Sequence, residues 1–132
     1  MGIFDFLKSD RRFVSEAKYD EDLAKQENNN RMVLDQLYKM NVSEDRDLSL
    51  EFFFYTNDEK KAVNLAGKLE NAGYKITYVQ RAESDKRLWV VNGWSLKMKM
   101  NLPTVTGWSK LMCNMGYETD CDFDGWGTTP EQ

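Results

Sequence analysis

Asn71-Ala72-Gly73-Tyr74-Lys75-Ile76-Thr77-Tyr78-Val79 reads as a helix end, a glycine turn and an alternating strand, and Asn114-Met115-Gly116-Tyr117 repeats its opening 43 residues later. At the same offset Ala62 matches Val105, Leu65 matches Trp108 and Leu69 matches Met112. Each helix carries one apolar stripe and ends on a glycine placed for a left-handed C-cap. Upstream, Thr56-Asn57-Asp58-Glu59 supplies polar cap residues for the first helix. Before it, Leu48, Leu50, Phe52 and Phe54 alternate onto one face of a strand. The chain therefore reads as two βαβ halves in tandem.

The second half begins after the polar turn Glu83-Ser84-Asp85-Lys86, with a strand from Arg87 to about Met100. Asn92-Gly93 within it is the dipeptide that favours a hairpin turn. The repeat requires a full-length strand here, so Gly93 is expected to mark a bend, with Trp94, Leu96, Met98 and Met100 on one core face. Asn101 and Pro103 open the next helix, Gly116 is expected to close it, and Tyr117, Thr119, Cys121 and Phe123 alternate in a last strand. Asp20-Glu21-Asp22 marks the start of an additional helix over about residues 21 to 40. Its apolar stripe of Val33, Leu34, Leu37 and Tyr38 lies in the second half, which leaves the first half poorly buried.

These elements close most simply as an α+β, ferredoxin-like βαββαβ layer: a four-stranded antiparallel sheet in the order 4-1-3-2, two helices on one face and the extra N-terminal helix. Residues 1–20 form a charged leader and 21–132 a single domain, in keeping with 132 residues and 30% charged side chains. The opposite sheet face is expected to show Phe53, Tyr55, Trp89 and Val91, covered by the additional helix through Leu34, Leu37 and Tyr38. The alternative, an RNA-stacking platform, lacks the glycine and paired aromatics of its third-strand signature at Lys86 to Val91.

Composition removes several function classes. The chain has no histidine, so Ser-His-Asp and Cys-His nucleophile systems and His-ligated zinc are excluded. Cys113 and Cys121 form no CxxC pair and read as small buried hydrophobes. No nucleophile has an obvious base partner, so no catalytic residue and no cofactor is expected. No apolar run is long enough to span a membrane, and the opening Met1 to Lys8 fits neither a signal peptide nor a myristoylation site, which points to the cytoplasm.

Charge is distributed unevenly. The net charge of -4 divides into -2 over residues 1–46, +3 over 47–116 and -5 over 117–132. An acidic C-terminal segment disfavours direct nucleic-acid binding and suits a protein partner with a basic surface. Asp120, Asp122, Asp124, Gly125 and Glu131 match the spacing of an EF-hand calcium loop. An EF-hand needs a helix on either side, whereas the incoming residues alternate like a strand and Pro130 interrupts the exit, so no metal site is expected.

Asp124-Gly125-Trp126-Gly127, following a helix and a strand, resembles the C-terminal signature of the regulator of ribonuclease E activity B (RraB-like) family. The order of elements over about residues 21 to 129 is similar as well. The resemblance implies a noncatalytic protein that binds an endoribonuclease of the ribonuclease E type and modulates RNA turnover. Asp120, Asp122 and Asp124 are the candidate contacts to a basic partner, and Trp126 is expected to fold back against the domain and present a surface second. The alternative is an adaptor or small-ligand-binding module that keeps this layer and serves an unrelated partner.

Overall fold

A computed structural model describes residues 12–132. Its elements run α1 (Glu16–Lys39), β1 (Asp47–Leu48), β2 (Glu51–Thr56), α2 (Glu59–Asn71), β3 (Lys75–Arg81), β4 (Trp89–Trp94), β5 (Met98–Lys99), α3 (Leu102–Thr119) and β6 (Asp122–Gly127). The protein is thus of the α+β class, with two antiparallel sheets. The four-stranded sheet has the order β3-β4-β2-β6, and every neighbouring pair is antiparallel. Numbering only these four strands, the order reads 4-1-3-2 from the β6 edge. Helix α2 lies against β2, β3 and β4, while α3 packs on α2 and β6 and α1 packs on α3 and β6.

The core forms where these layers meet. Phe52 and Phe54 of β2 are fully buried beside Leu65 and Leu69 of α2, Val105, Trp108 and Met112 of α3, and Phe123 of β6. Tilted and edge-on contacts join Phe54 to Phe123 at 5.0 Å and Phe123 to Trp108 at 6.0 Å. Removing this much aromatic and aliphatic surface from water is the main drive for the fold.

Asn92-Gly93 lies inside β4 and makes no turn, as the repeat requires. A Cβ at residue 93 would collide with the Lys75 carbonyl oxygen and with the Phe52 ring at 2.7 Å, so glycine is needed for close approach. The strand does not, however, run on to Met100. It stops at Trp94, and β5 pairs with β1 in a separate two-stranded ladder. The break sits at Ser95, whose Oγ accepts from the Leu50 N–H at 2.9 Å while its own N–H donates to the Leu50 carbonyl at 2.8 Å. Alternation is lost there: Met100 is fully buried, but Leu96 is 57% exposed.

Gly116 does not end α3. The helix continues to Thr119, and Asp120 supplies the left-handed residue at φ 61°. Gly116 is there for contact, since a Cβ would lie 2.5 Å from the Cys121 carbonyl oxygen and 3.1 Å from Phe54. Gly73, its counterpart in the repeat, does take a left-handed φ of 93° after α2. Tyr117 and Thr119 are therefore helical, and the last strand starts at Asp122.

The reading of α1 is corrected in three ways. It begins at Glu16, where the Ser15 hydroxyl caps it by accepting from the Lys18 N–H at 3.1 Å. Its first half is not poorly buried: Asp22, Gln26 and Asn30 continue the Leu34–Leu37 stripe inwards as a polar one. Nor does it cover the aromatic sheet face, because Leu34 and Leu37 join the core on the side of α2 and α3.

That outer face also differs in membership. The register sets Phe54 opposite Val91 and Thr56 opposite Trp89, which puts Val91 and Trp89 on the inner side; Phe53, Tyr55, Val90, Asn92 and Trp94 share the outer one. Val91 is fully buried, and the Arg81 guanidinium lies 5.1 Å from the Trp89 ring. Among the described residues, no helix is long and apolar enough to cross a membrane.

Candidate functional site: the corner between α1 and β6

Strand β6 pairs with β2 at the sheet edge, and the pairing skips one residue: Phe54 faces Phe123, but Phe53 faces Gly125. Asp124 is the extra residue of this bulge, and Gly125 follows with φ 143°, a conformation that favours glycine. The bulge has a parity consequence. Without it Trp126 would point away from the helices; with it Trp126 stands opposite Phe52 and turns inwards.

The indole is half-buried and tied to both helices. Its Nε1–H donates to Asn30 Oδ1 at 2.7 Å, and its ring meets Trp108 edge-on at 6.5 Å. Asn30 Nδ2 donates in turn to Ser109 Oγ at 2.9 Å, and the Ser109 hydroxyl donates to the Thr106 carbonyl at 3.1 Å. A buried relay of polar groups therefore joins β6 to α1 and α3 where an apolar contact would ordinarily serve. Such a relay specifies one docking position for α1, because each displaced group would be left without a partner.

The three aspartates have different surroundings. Asp120 is held from several sides: it accepts from the backbone N–H groups of Phe13 at 2.9 Å and Val14 at 2.8 Å, and Lys61 Nζ lies at 2.7 Å and Arg12 at 3.6 Å. Burial opposes its ionisation, but the Lys61 hydrogen bond and the two backbone donors outweigh it and hold the carboxyl below its usual range. Arg12 also donates to the Tyr117 carbonyl and lies 4.2 Å from the Tyr117 ring.

Asp122 faces Asp22 of α1, with Lys18 at 3.9 Å from Asp122 and 3.2 Å from Asp22. Burial, followed by the side-chain hydrogen bond and charge of Asp22, pushes Asp122 up to about 7. Two facing carboxyl groups so enclosed favour sharing a proton. The thiol of Cys113, nearby and buried, is pushed up to about 12 by burial and then by these two acids, which makes it a poor nucleophile. Asp124 is the outward one, with 54% of its side chain exposed and the exposed Lys25 at 3.8 Å.

A cleft of about 210 Å³ opens beside Asp124 between α1 and β6, lined by Gln26, Asn29, Val33, Phe53, Gly125 and Trp126. Gln26 Nε2 donates to the Asp124 carbonyl at 3.3 Å, while its Oε1, fully enclosed, has no partner. The structure thus brings Asp124 and Trp126 to one surface and sends Asp120 and Asp122 into its supports. Gln26 and Asn30, which also build the corner, carry no signal in the sequence, being polar residues in a helix otherwise read by its apolar positions; Phe53 is legible only as a member of the aromatic sheet face. Among the described residues, no three His, Cys, Asp or Glu side chains gather closely enough to hold a metal ion.

No curated protein matches the chain. The sequence does match the family described as regulator of ribonuclease activity B, over residues 27–128. That span takes in both βαβ halves, most of α1 and the whole of β6, including Asn30, Phe53 and the bulged Asp124-Gly125-Trp126-Gly127 strand. The chain belongs to the regulator of ribonuclease activity B family.

Proposed function

We propose that this protein is a noncatalytic, cytoplasmic regulator that binds an endoribonuclease of the ribonuclease E type and lowers its activity, thereby modulating RNA turnover. The observation that carries the reading is the family match, over residues 27–128 of a chain that sets an outward carboxylate and an anchored indole at one corner. The scaffold is read as a ferredoxin-like layer with α1 added at the β6 edge, supported by the strand order of the larger sheet. On it, Asp124 and Trp126 present the binding surface, and Asp120 and Asp122 hold the strand that carries them.

The acidic groups suit a basic protein surface and disfavour direct contact with RNA. The test is a titration of the full chain into a purified endoribonuclease of this type, with RNA cleavage followed in parallel. The expected outcome is saturable binding and slower cleavage, with neither effect on an unrelated ribonuclease. Binding only to the RNA substrate, or cleavage by the protein alone, would overturn the proposal.

A further inference from the structure

The cleft between α1 and β6 has a composition that selects its occupant. Trp126, Val33 and Phe53 line it together with Asp124, whose side chain is 54% exposed. Inside, Gln26 is only 2% exposed and has an acceptor oxygen with no partner, and Asn29 adds a second amide. An enclosed amide oxygen of this kind is costly unless something donates to it. Among the described residues no Lys or Arg lines the cleft; Lys25 stays outside, 3.8 Å from the Asp124 carboxylate and 3.5 Å from its carbonyl.

A flat group rich in N–H donors, positively charged and able to lie against an aromatic ring meets all of these demands together. The arginine guanidinium has these properties, whereas the lysine ammonium is a compact point charge without a planar face. Volume agrees: about 210 Å³ is smaller than the roughly 300–1,000 Å³ typical of cofactor-sized ligand sites, and suits a single side chain. A divalent cation is a poor occupant, since one carboxylate and two amides fall short of the ligand set it needs.

We propose that this cleft is a socket for one arginine side chain of the protein partner, gripped by the exposed Asp124 carboxylate and stacked against Trp126. The socket rests on the reading that the protein acts by binding another protein. In the free molecule Lys25 sits near Asp124 and competes with the incoming charge.

The probe is a blocked octapeptide alternating glycine and arginine, compared with its lysine and citrulline counterparts by amide and side-chain NMR of the full chain. The arginine peptide is expected to shift the Gly125 amide, the Trp126 indole and the Gln26 side-chain amide. The lysine peptide should shift them by less than half as much, and the uncharged citrulline peptide hardly at all. Asp124→Asn, at an exposed position, should keep the fold and lose at least tenfold in affinity, while Lys25→Met should bind at least as tightly as the parent. Equal responses to arginine and lysine, shifts confined to other surfaces, or an unaltered Asp124→Asn would overturn the socket. Titrating the endoribonuclease separates the two readings. If the nuclease binds Asp124→Asn as tightly as the parent, the socket fails and the regulator stands. If the arginine peptide fills the cleft but no nuclease binds, the socket stands and the choice of partner fails.

Discussion

Trp126 and Asp122 show how single side chains set the properties of the corner. The indole contributes both packing and a hydrogen bond, and the two are separable. Trp126→Phe retains most of the ring but leaves Asn30 Oδ1 enclosed and unpaired, so denaturant unfolding should show a loss of about 1–3 kcal/mol. Trp126→Ala adds the loss of contact with Trp108, and because the ring is only half-buried the total should stay near about 3 kcal/mol. An equal stability for Phe and wild type would remove the relay from the account of α1 docking. Asp122 acts through its proton. Its carboxyl is raised in the folded state, so the fold favours the protonated form; the stabilisation is complete below about pH 4 and is lost as pH rises through about 7. Thermal melting should therefore fall between about pH 4 and 7, and Asp122→Asn should flatten that slope. Asp120 has the opposite sign, with stability lost only as pH falls below the usual carboxylate range, so the two residues can be told apart by the limb of the profile that each variant changes.

At the scale of elements, two glycines inside helices have different surroundings, and substitution should expose this. Gly116→Ala puts a methyl group 2.5 Å from the Cys121 carbonyl oxygen and should destabilise by about 1–3 kcal/mol, even though alanine favours helix. Gly67→Ala, in α2 with open space around it, should instead stabilise by about 0.5–1 kcal/mol. Melting of the two variants checks both signs at once. The pair also marks how much of the fold was legible. The 43-residue repeat located both helices, the strands after them and the uninterrupted passage through Asn92-Gly93, because apolar periodicity reports directly on burial. It misplaced the end of α3, since a glycine needed for close approach looks the same in sequence as one needed for a left-handed φ. It missed the break at Ser95, where a serine hydroxyl stands in for a ladder bond; the glycines flanking Trp126 pointed to its folding back, but the parity-reversing bulge that turns it depends on the partner strand. Asp124 and Trp126 could be picked out as candidates, but Gln26 and Phe53 could not, as nothing local in α1 or β2 says which edge they will share. Strand β6 supports one more prediction. Asp120 is held by Lys61, Arg12 and two backbone donors and Asp122 by Asp22, so millimolar calcium should leave the melting temperature unchanged. A rise of several degrees would show that the three aspartates can be drawn together around a cation.

For the whole molecule, the contrast between its two kinds of docking surface predicts where it opens first. Helices α2 and α3 are fastened by fully buried Leu65, Leu69, Val105 and Met112, a contact that is indifferent to pH. The first half of α1 is fastened by Asp22, Gln26 and Asn30, so its attachment depends on hydrogen bonds and on the proton shared near Asp22 and Asp122. Raising the pH charges that pair within an enclosed site. Lys18 bridges it, Asp124 adds a further negative charge, and the enclosed Asp122 Oδ1 has no hydrogen-bond partner among the described residues. Repulsion then acts between α1 and β6. Local opening of this kind is expected to be separate from global unfolding, because the apolar half of α1 around Leu34 and Leu37 stays in the main core. Native-state hydrogen exchange, corrected for the intrinsic pH dependence of amide exchange, should show protection falling between about pH 4 and 7 over residues 18–30 while α2 stays constant. Asp122→Asn should abolish the difference. The same opening would loosen the wall formed by Gln26 and Asn29, so affinity for a partner seated at this corner should decline over the same interval. A uniform loss of protection across all three helices would instead mean that α1 and the sheet form one cooperative unit, with the carboxyl pair only one contribution to its overall stability.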